Sequence, residues 1–300
     1  MILMGNLSLK GVFILKLLKR KFIFALALFV FVAAQGLITA EAELVKPTVV
    51  GVLTKENMTQ EEFLAYMDSA RESGKWTVYY NAEPKPMQFV YFYSFNTMRS
   101  ALSVKEADEI ILPKLVGEFL LNTTPDIYSV AGVSRTAEPS YLAFGFRRSD
   151  GLALRDNFDK ALKEMKADGT LSRLQSMYLT DEKDNLKSVE IAEFNDADTI
   201  KVAVTGDLPP IDSDRKDNTP RGFSTALLAE IGKRLHLNIR FVNVAAGSRA
   251  IFLASKRVDV VLWFRFDRGQ DRQPDVLDGV ILSEPYYEWN EYLHIRQTQF

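Results

Sequence analysis

Apolar residues along this chain alternate between short β-branched runs and stretches with helical spacing. After Lys46-Pro47, the run Thr48–Leu53 (TVVGVL) predicts a buried strand. Thr59-Gln60-Glu61-Glu62 has the spacing of a capping box, and Phe63, Tyr66, Met67 and Ala70 continue one helical face. Trp76–Tyr80 and Gln88–Tyr93 predict strands separated by the turn-rich AEPKP, and Ser94 is placed to cap a helix with Met98, Ala101 and Leu102 inward. A strand over Glu109–Leu112 follows, with Pro113 suited to the first turn of the next helix. Tyr128–Val133 and Tyr141–Phe146 read as two further strands. The run Lys160–Leu179 reads as helix, Asp-Gly break and second helix, the way a domain ends.

The same plan then restarts. Asp181–Asp198 is rich in charge and poor in large apolar residues, which predicts a linker. Ile200–Val204 is a strand, and Phe223–Leu235 a helix with Leu227, Leu228, Ile231 and Leu235 inward. Asn238–Val244 is a strand, Ser248–Ser255 a short helix, Asp259–Phe264 a strand, and Ile281–Ile295 a strand-like return. One echo supports duplication. Leu102-Ser-Val-Lys-Glu-Ala-Asp108 and Leu253-Ala-Ser-Lys-Arg-Val-Asp259 share helix end, Lys turn and an Asp opening a buried strand, at an offset of 253 − 102 = 151. Helix–strand alternation of this kind predicts parallel sheets covered by helices, an α/β fold.

Composition narrows the function. The 37 basic residues are matched by 39 acidic ones, for a net charge of −2, which argues against nucleic-acid binding. The absence of cysteine excludes disulfides, thiolate metal sites, a cysteine nucleophile and a lipid-modified cysteine anchor. The two histidines, His236 and His294, sit in apolar patterns and read as surface or core positions, so neither a histidine zinc site nor a Ser-His-Asp triad is expected. Residues 1–42 differ from the rest. A basic stretch (Lys10 to Lys21) precedes apolar Phe22–Ala34 and then Ala40-Glu41-Ala42, the layout of an export signal. The alternative is an uncleaved membrane anchor, and either places the remainder outside the cytoplasm.

Several motifs resemble those of the family 3 extracellular solute-binding proteins. Asp207-Leu-Pro-Pro210, Arg221-Gly-Phe223, Lys256-Arg-Val-Asp259-Val-Val and Ser283-Glu-Pro-Tyr-Tyr287 resemble that family's first lobe. Val49–Thr54, Phe92-Tyr93-Ser94, Ala107-Asp108-Glu-Ile-Ile, Tyr141–Phe146 and Leu154 through Tyr178 resemble its second lobe. The resemblance implies a two-lobed periplasmic-binding-protein-like fold, each lobe a mainly parallel sheet flanked by helices and joined at a hinge. The lobes stand in reversed order: 43–180 second-lobe-like, 181–198 linker, 199–300 first-lobe-like and possibly truncated. Either the lobes pair as a circular permutation, or the chain is a truncated or split tandem array. The abrupt end leans toward the tandem, while a compact structure would pair the two lobes within this chain.

The resemblance also implies site residues. An Arg beyond the first-lobe Val-Asp strand takes a ligand carboxylate, which makes Arg265, Arg268 and Arg272 candidates, although the usual Thr-x-x-Arg context is missing. Alternatively these arginines solvate a loop beside Asp267, Asp271 and Asp275. The acid that holds an amino group in the family falls on Pro113, and the aromatic platform after Pro-Pro is Ile211. Glu109 and Glu118 are near but out of register. Asp207, Pro210, Trp263, Arg265, Arg272, Tyr286, Thr54, Tyr93 and Ser94 are the expected ligand-binding set, each aromatic being equally suited to core packing.

The function implied is that of a non-enzymatic receptor. It delivers a small polar, amino-acid-like solute to the permease of an ABC-type importer, with no cofactor or metal. Membrane contact would come only through an uncleaved N-terminal segment. A ligand-sensing module of a membrane signalling system, or a truncated homologue without ligand, are the alternatives. No acid–base pair with defined spacing supports an enzyme.

Overall fold

The computed structural model describes residues 46–53, 59–80, 86–179, 189–214, 220–268 and 276–298. The predicted signal or anchor, Thr54 and Arg272 lie outside the described residues.

One ten-stranded sheet runs through the protein. The N-terminal half supplies β1 (Thr48–Leu53), β2 (Trp76–Tyr80), β3 (Met87–Phe92) and β4 (Glu109–Pro113). It also supplies helices α1 (Gln60–Glu72), α2 (Phe95–Ser103) and α3 (Lys114–Thr123). The long strand β5 (Tyr128–Arg147) leads to α4 (Leu152–Ala167) and α5 (Thr170–Tyr178). The C-terminal half contains β6 (Thr199–Val204) and three short strands, β7 (Asp207–Leu208), β8 (Asp212–Asp214) and β9 (Pro220–Arg221). After α6 (Phe223–Leu235) come β10 (Asn238–Asn243), α7 (Arg249–Ala254), β11 (Val260–Asp267), β12 (Val280–Leu282) and β13 (Tyr287–Gln297).

The strand order is β10-β6-β11-β5-β13-β4-β1-β3, so β5 and β13 lie between the two halves. The pairs β1–β3 and β1–β4 are parallel, as are β10–β6 and β11–β6, as helix-linked strands require. The short strands β7, β8 and β9 form a separate three-stranded sheet. The main core is continuous across both halves, from Met98 and Ile110 through Phe144 and Phe158 to Phe223 and Val260.

The echo at Asp108 and Asp259 is a structural repeat. Asp108 Oδ2 accepts from the Val49 amide at 2.8 Å, while the Asp108 amide donates to the Val49 carbonyl at 2.8 Å. Asp259 does the same to Lys201, at 2.9 Å and 2.8 Å. The Lys turns match as well, with Lys105 at φ 63° and Lys256 at φ 60°. Each Asp thus fixes the strand that its helix crosses over to join.

The structure differs from the sequence pattern at β5. Ala137-Glu138-Pro139 suggests a break between two strands, yet 128–147 is one strand. Register explains how. Arg135 pairs with Glu291 and Ser140 with Trp289, so residues 136–139 of β5 face only Asn290 of β13. Pro139 falls inside that irregular stretch, where its missing N–H removes no ladder hydrogen bond. The first part of β5 pairs with β2, and the last part with β11 and β12. Pro113, expected inside the next helix, is instead the last residue of β4 and caps α3.

Candidate functional site

The irregular stretch of β5 lies against a cavity of about 880 Å³, lined by both halves and by both long strands. Its size falls within the range of small-molecule pockets. The N-terminal half contributes the ends of β1 and β4, the inward face of α1, Trp76 and Tyr93. The C-terminal half contributes Asp207, Leu208, Ala246, Gly247, Arg249 and the end of β11.

The floor is built on Ser140. Its hydroxyl donates to Asp267 Oδ1 at 2.7 Å, as cross-strand register places these two residues opposite each other. Arg265 Nε and Nη2 donate to Ser140 Oγ at 3.2 Å and 2.9 Å, and Nη2 also reaches the Tyr292 hydroxyl at 3.2 Å. The guanidinium carbon stands 5.7 Å from the Trp289 ring centre. Arg265 is therefore an oriented cation in the cavity wall. Arg268 is exposed, with its guanidinium 4.7 Å from the Tyr141 ring centre.

A second cluster stands on Trp263. Its indole Nε1 donates to Asp212 Oδ2 at 2.9 Å, and Thr205 adds its amide and hydroxyl to that oxygen. Arg249 stacks on Trp263 at 3.8 Å and donates to the Trp263 and Ala246 carbonyls. Burial pushes the Asp212 carboxyl above its ordinary range, against these donors. Nothing in the local sequence of Arg249 marks it as a buried cavity residue; the tertiary stack on Trp263 puts it there.

Asp207 reaches across the cavity. Its Oδ2 accepts from the Phe95 amide at 2.8 Å and its Oδ1 from the Asn96 amide at 3.0 Å. Ser94 Oγ takes the Thr97 amide at 3.1 Å, so the first turn of α2 is satisfied by its own cap and by a carboxylate of the other half. Burial pushes the Asp207 carboxyl up to about 6, with the two amides acting against it.

Of the expected ligand-binding set, Asp207, Trp263, Arg265 and Tyr93 line one cavity. Tyr93 is 74% exposed and faces Gly247, where a Cβ would stand 3.7 Å from its ring. Ser94 serves as the α2 cap. Pro210, after a cis Pro209–Pro210 bond, is buried, and its carbonyl accepts from the Phe223 amide at 3.1 Å. Tyr286 is turned into the core at 1% exposure, its hydroxyl donating to the Leu262 carbonyl at 2.9 Å. Ile211 is fully buried, while Pro113 lines the cavity.

A Ser134–His294–Glu109 array occupies the N-terminal half. His294 Nε2 is 3.0 Å from Ser134 Oγ, and Nδ1 is 3.2 Å from the Tyr80 hydroxyl and 3.6 Å from Glu109 Oε2. Ser134 and His294 have no exposed surface and neither lines the cavity, so the array packs β2 on β5 and β13. His236 pairs with Asp196 at the surface. Among the described residues, no group of three or more potential metal ligands converges, and no helix is long and apolar enough to cross a membrane.

Residues 200–299 match the family of bacterial extracellular solute-binding proteins, family 3. A search of curated protein sequences gave no match. Solved structures with a similar fold include the zinc-bound ligand-binding component of an ABC-type import system from Staphylococcus aureus. It has 9% identity and a TM-score of 0.42, with 83% of this chain and 65% of that one covered. The periplasmic aliphatic sulphonate binding protein of Escherichia coli has 11% identity and a TM-score of 0.36, with 83% and 64% covered. The GluR0 ligand-binding core of Nostoc punctiforme in complex with L-glutamate has 12% identity and a TM-score of 0.35, with 84% and 86% covered. The chain spans just under two thirds of the first two structures. The resemblance carried by the Pro-Pro turn, the Val-Asp strand and the Ser-x-Pro-Tyr entry is thus shown over residues 200–299, which are related to the bacterial extracellular solute-binding proteins, family 3.

Proposed function

We propose that the protein is an extracytoplasmic solute-binding protein that holds a small polar solute between its halves and delivers it to an ABC-type importer. The observation that carries this reading is the cavity at the crossing of β5 and β13, with Arg265 fixed by Ser140 and Tyr292 in its wall. In this reading 43–180 acts as the second lobe and 199–300 as the first, with 181–198 as the linker. The two long strands serve as the hinge about which the halves close. The solute is amino-acid-like in size and in carrying a carboxylate for Arg265. Residues 1–42 would direct export, and the partner would be a membrane permease.

The role is binding without catalysis, since the Ser134–His294–Glu109 array is sealed from the cavity. Calorimetric titration of the purified protein against a panel of amino acids, organic acids and small anions tests the reading. Saturable binding at one site per chain supports it. Absence of both heat and thermal shift across the panel rejects it.

A further inference from the structure

The first turn of α2 is satisfied from both sides of the cavity. Ser94 Oγ takes the Thr97 amide from within the N-terminal half. Asp207 of the other half takes the Phe95 and Asn96 amides, one on each carboxylate oxygen, at 2.8 Å and 3.0 Å. A helix start leaves its first amides without intrahelical partners, and a carboxylate suits both those N–H groups and the positive end of the helix dipole. Asp207 has a fixed base for this reach. Gly206 at φ 62° turns the chain out of β6, and β7 pairs Asp207 with Ser213 of β8.

A second contact lies on the same rim. Tyr93 faces Gly247 of the C-terminal half, where an added methyl group would just touch its ring. The short segment 93–96 therefore meets the opposite half through a ring and through two backbone amides. All of these groups belong to the protein itself, so closure along this rim needs no bound molecule. Charge-assisted bonds of this kind are stronger than neutral ones. Burial nonetheless pushes the Asp207 carboxyl up to about 6 against the two amides, so opening returns hydration that closing removed. Such a contact can form and break.

We propose that Asp207 is a latch that holds the two halves closed over the cavity before any solute arrives, by occupying the N-terminus of α2. This rests on the reading of β5 and β13 as a hinge, and is independent of which solute binds. A solute enters only when the latch opens, so the latch sets the share of protein ready to receive it.

The chain has no cysteine, so paired spin labels can be placed on the full chain through Ala65→Cys on α1 and Ile251→Cys on α7, both exposed positions. Pulsed dipolar EPR without added solute then reads the distance across the cavity. The expected result is one narrow distance with Asp207 intact and an added longer-distance population in Asp207→Ala. Asp207→Asn, which keeps one acceptor oxygen, should show a smaller share of that population. Asp108→Ala removes a carboxylate clamp within the N-terminal half and should keep the single narrow distance. Thermal melts confirm that each variant is folded, and if Asp207→Ala is not, the Asp207→Asn comparison decides. A distribution left unchanged by the Asp207 variants overturns the latch. An equal shift in Asp108→Ala also overturns it, because the effect would then be lost stability alone. Neither result touches solute binding, which the calorimetric panel decides separately.

Discussion

Asp207 of the C-terminal half holds the Phe95 amide of the N-terminal half, with Oδ2 at 2.8 Å from the nitrogen, and holds Asn96 beside it. One carboxylate therefore ties the start of α2 to β7 across the cavity. Asp207→Ala leaves two amides unpaired in a buried place. Chemical denaturation should show a loss of about 1–3 kcal/mol.

The same residue gives a pH signature. Burial, with Asp212 acting in the same direction and Arg249 against it, holds the carboxyl up at about 6 against an ordinary 3.8. The folded protein thus binds this proton more tightly than the unfolded chain. The part of Asp207's contribution that depends on its proton is full below about 4 and is lost as pH rises through about 6. The melting-temperature advantage of the wild type over Asp207→Asn should shrink between about pH 4.5 and 7. A constant difference over that window contradicts the assignment.

A steric prediction follows from Gly145, which β5 places against Phe264 of β11. A Cβ there would stand 2.4 Å from the Phe264 ring, which is fully buried. Gly145→Ala should cost about 1–3 kcal/mol of stability. Adding Phe264→Leu should recover part of the loss, read from the same denaturation curves.

The repeated clamps should respond alike. Asp108→Ala and Asp259→Ala each remove one hydrogen bond to the backbone of a neighbouring strand, and Asp259→Ala also removes a 3.5 Å contact with Arg147 Nη2. Each should lower stability by about 0.5–1.5 kcal/mol. The two losses should add in the double variant, because the clamps share no partner.

Tyr286 separates fold from binding. Its hydroxyl bonds the Leu262 carbonyl and stands 3.2 Å from Ser224 Oγ, away from the cavity. Tyr286→Phe should lose about 1–2 kcal/mol of stability. Ligand affinity should be unchanged in calorimetry.

Much of this fold was legible because its signals are local. The Thr59–Glu62 capping box forms, with the Thr59 amide 2.8 Å from Glu62 Oε2. The Phe223–Leu235 helix has the bounds its periodicity predicts. The Asp108 and Asp259 echo is a shared hydrogen-bond pattern. What was not legible is non-local. Ala137-Glu138-Pro139 reads as a break until β13 is laid beside it and absorbs the irregularity. Trp263, Arg265 and Asp207, expected from motif position, line the cavity. Arg249 and Ser140 were missed because their roles come from a ring and from strands distant in sequence. Tyr286 and Tyr93 show the opposite ambiguity. Both are aromatic residues in motif positions, yet packing buries one and exposes the other.

All three tryptophans of the chain, Trp76, Trp263 and Trp289, line the cavity, one from the N-terminal half, one from the C-terminal half and one from a crossing strand. Fluorescence titration of variants that keep only Trp76 or only Trp263, the others changed to Phe, tests whether the halves form one site. The account predicts that a solute found to bind in the calorimetric panel shifts the emission of both variants with the same midpoint. A response from one variant alone, or two different midpoints, would contradict a single solute site between the halves.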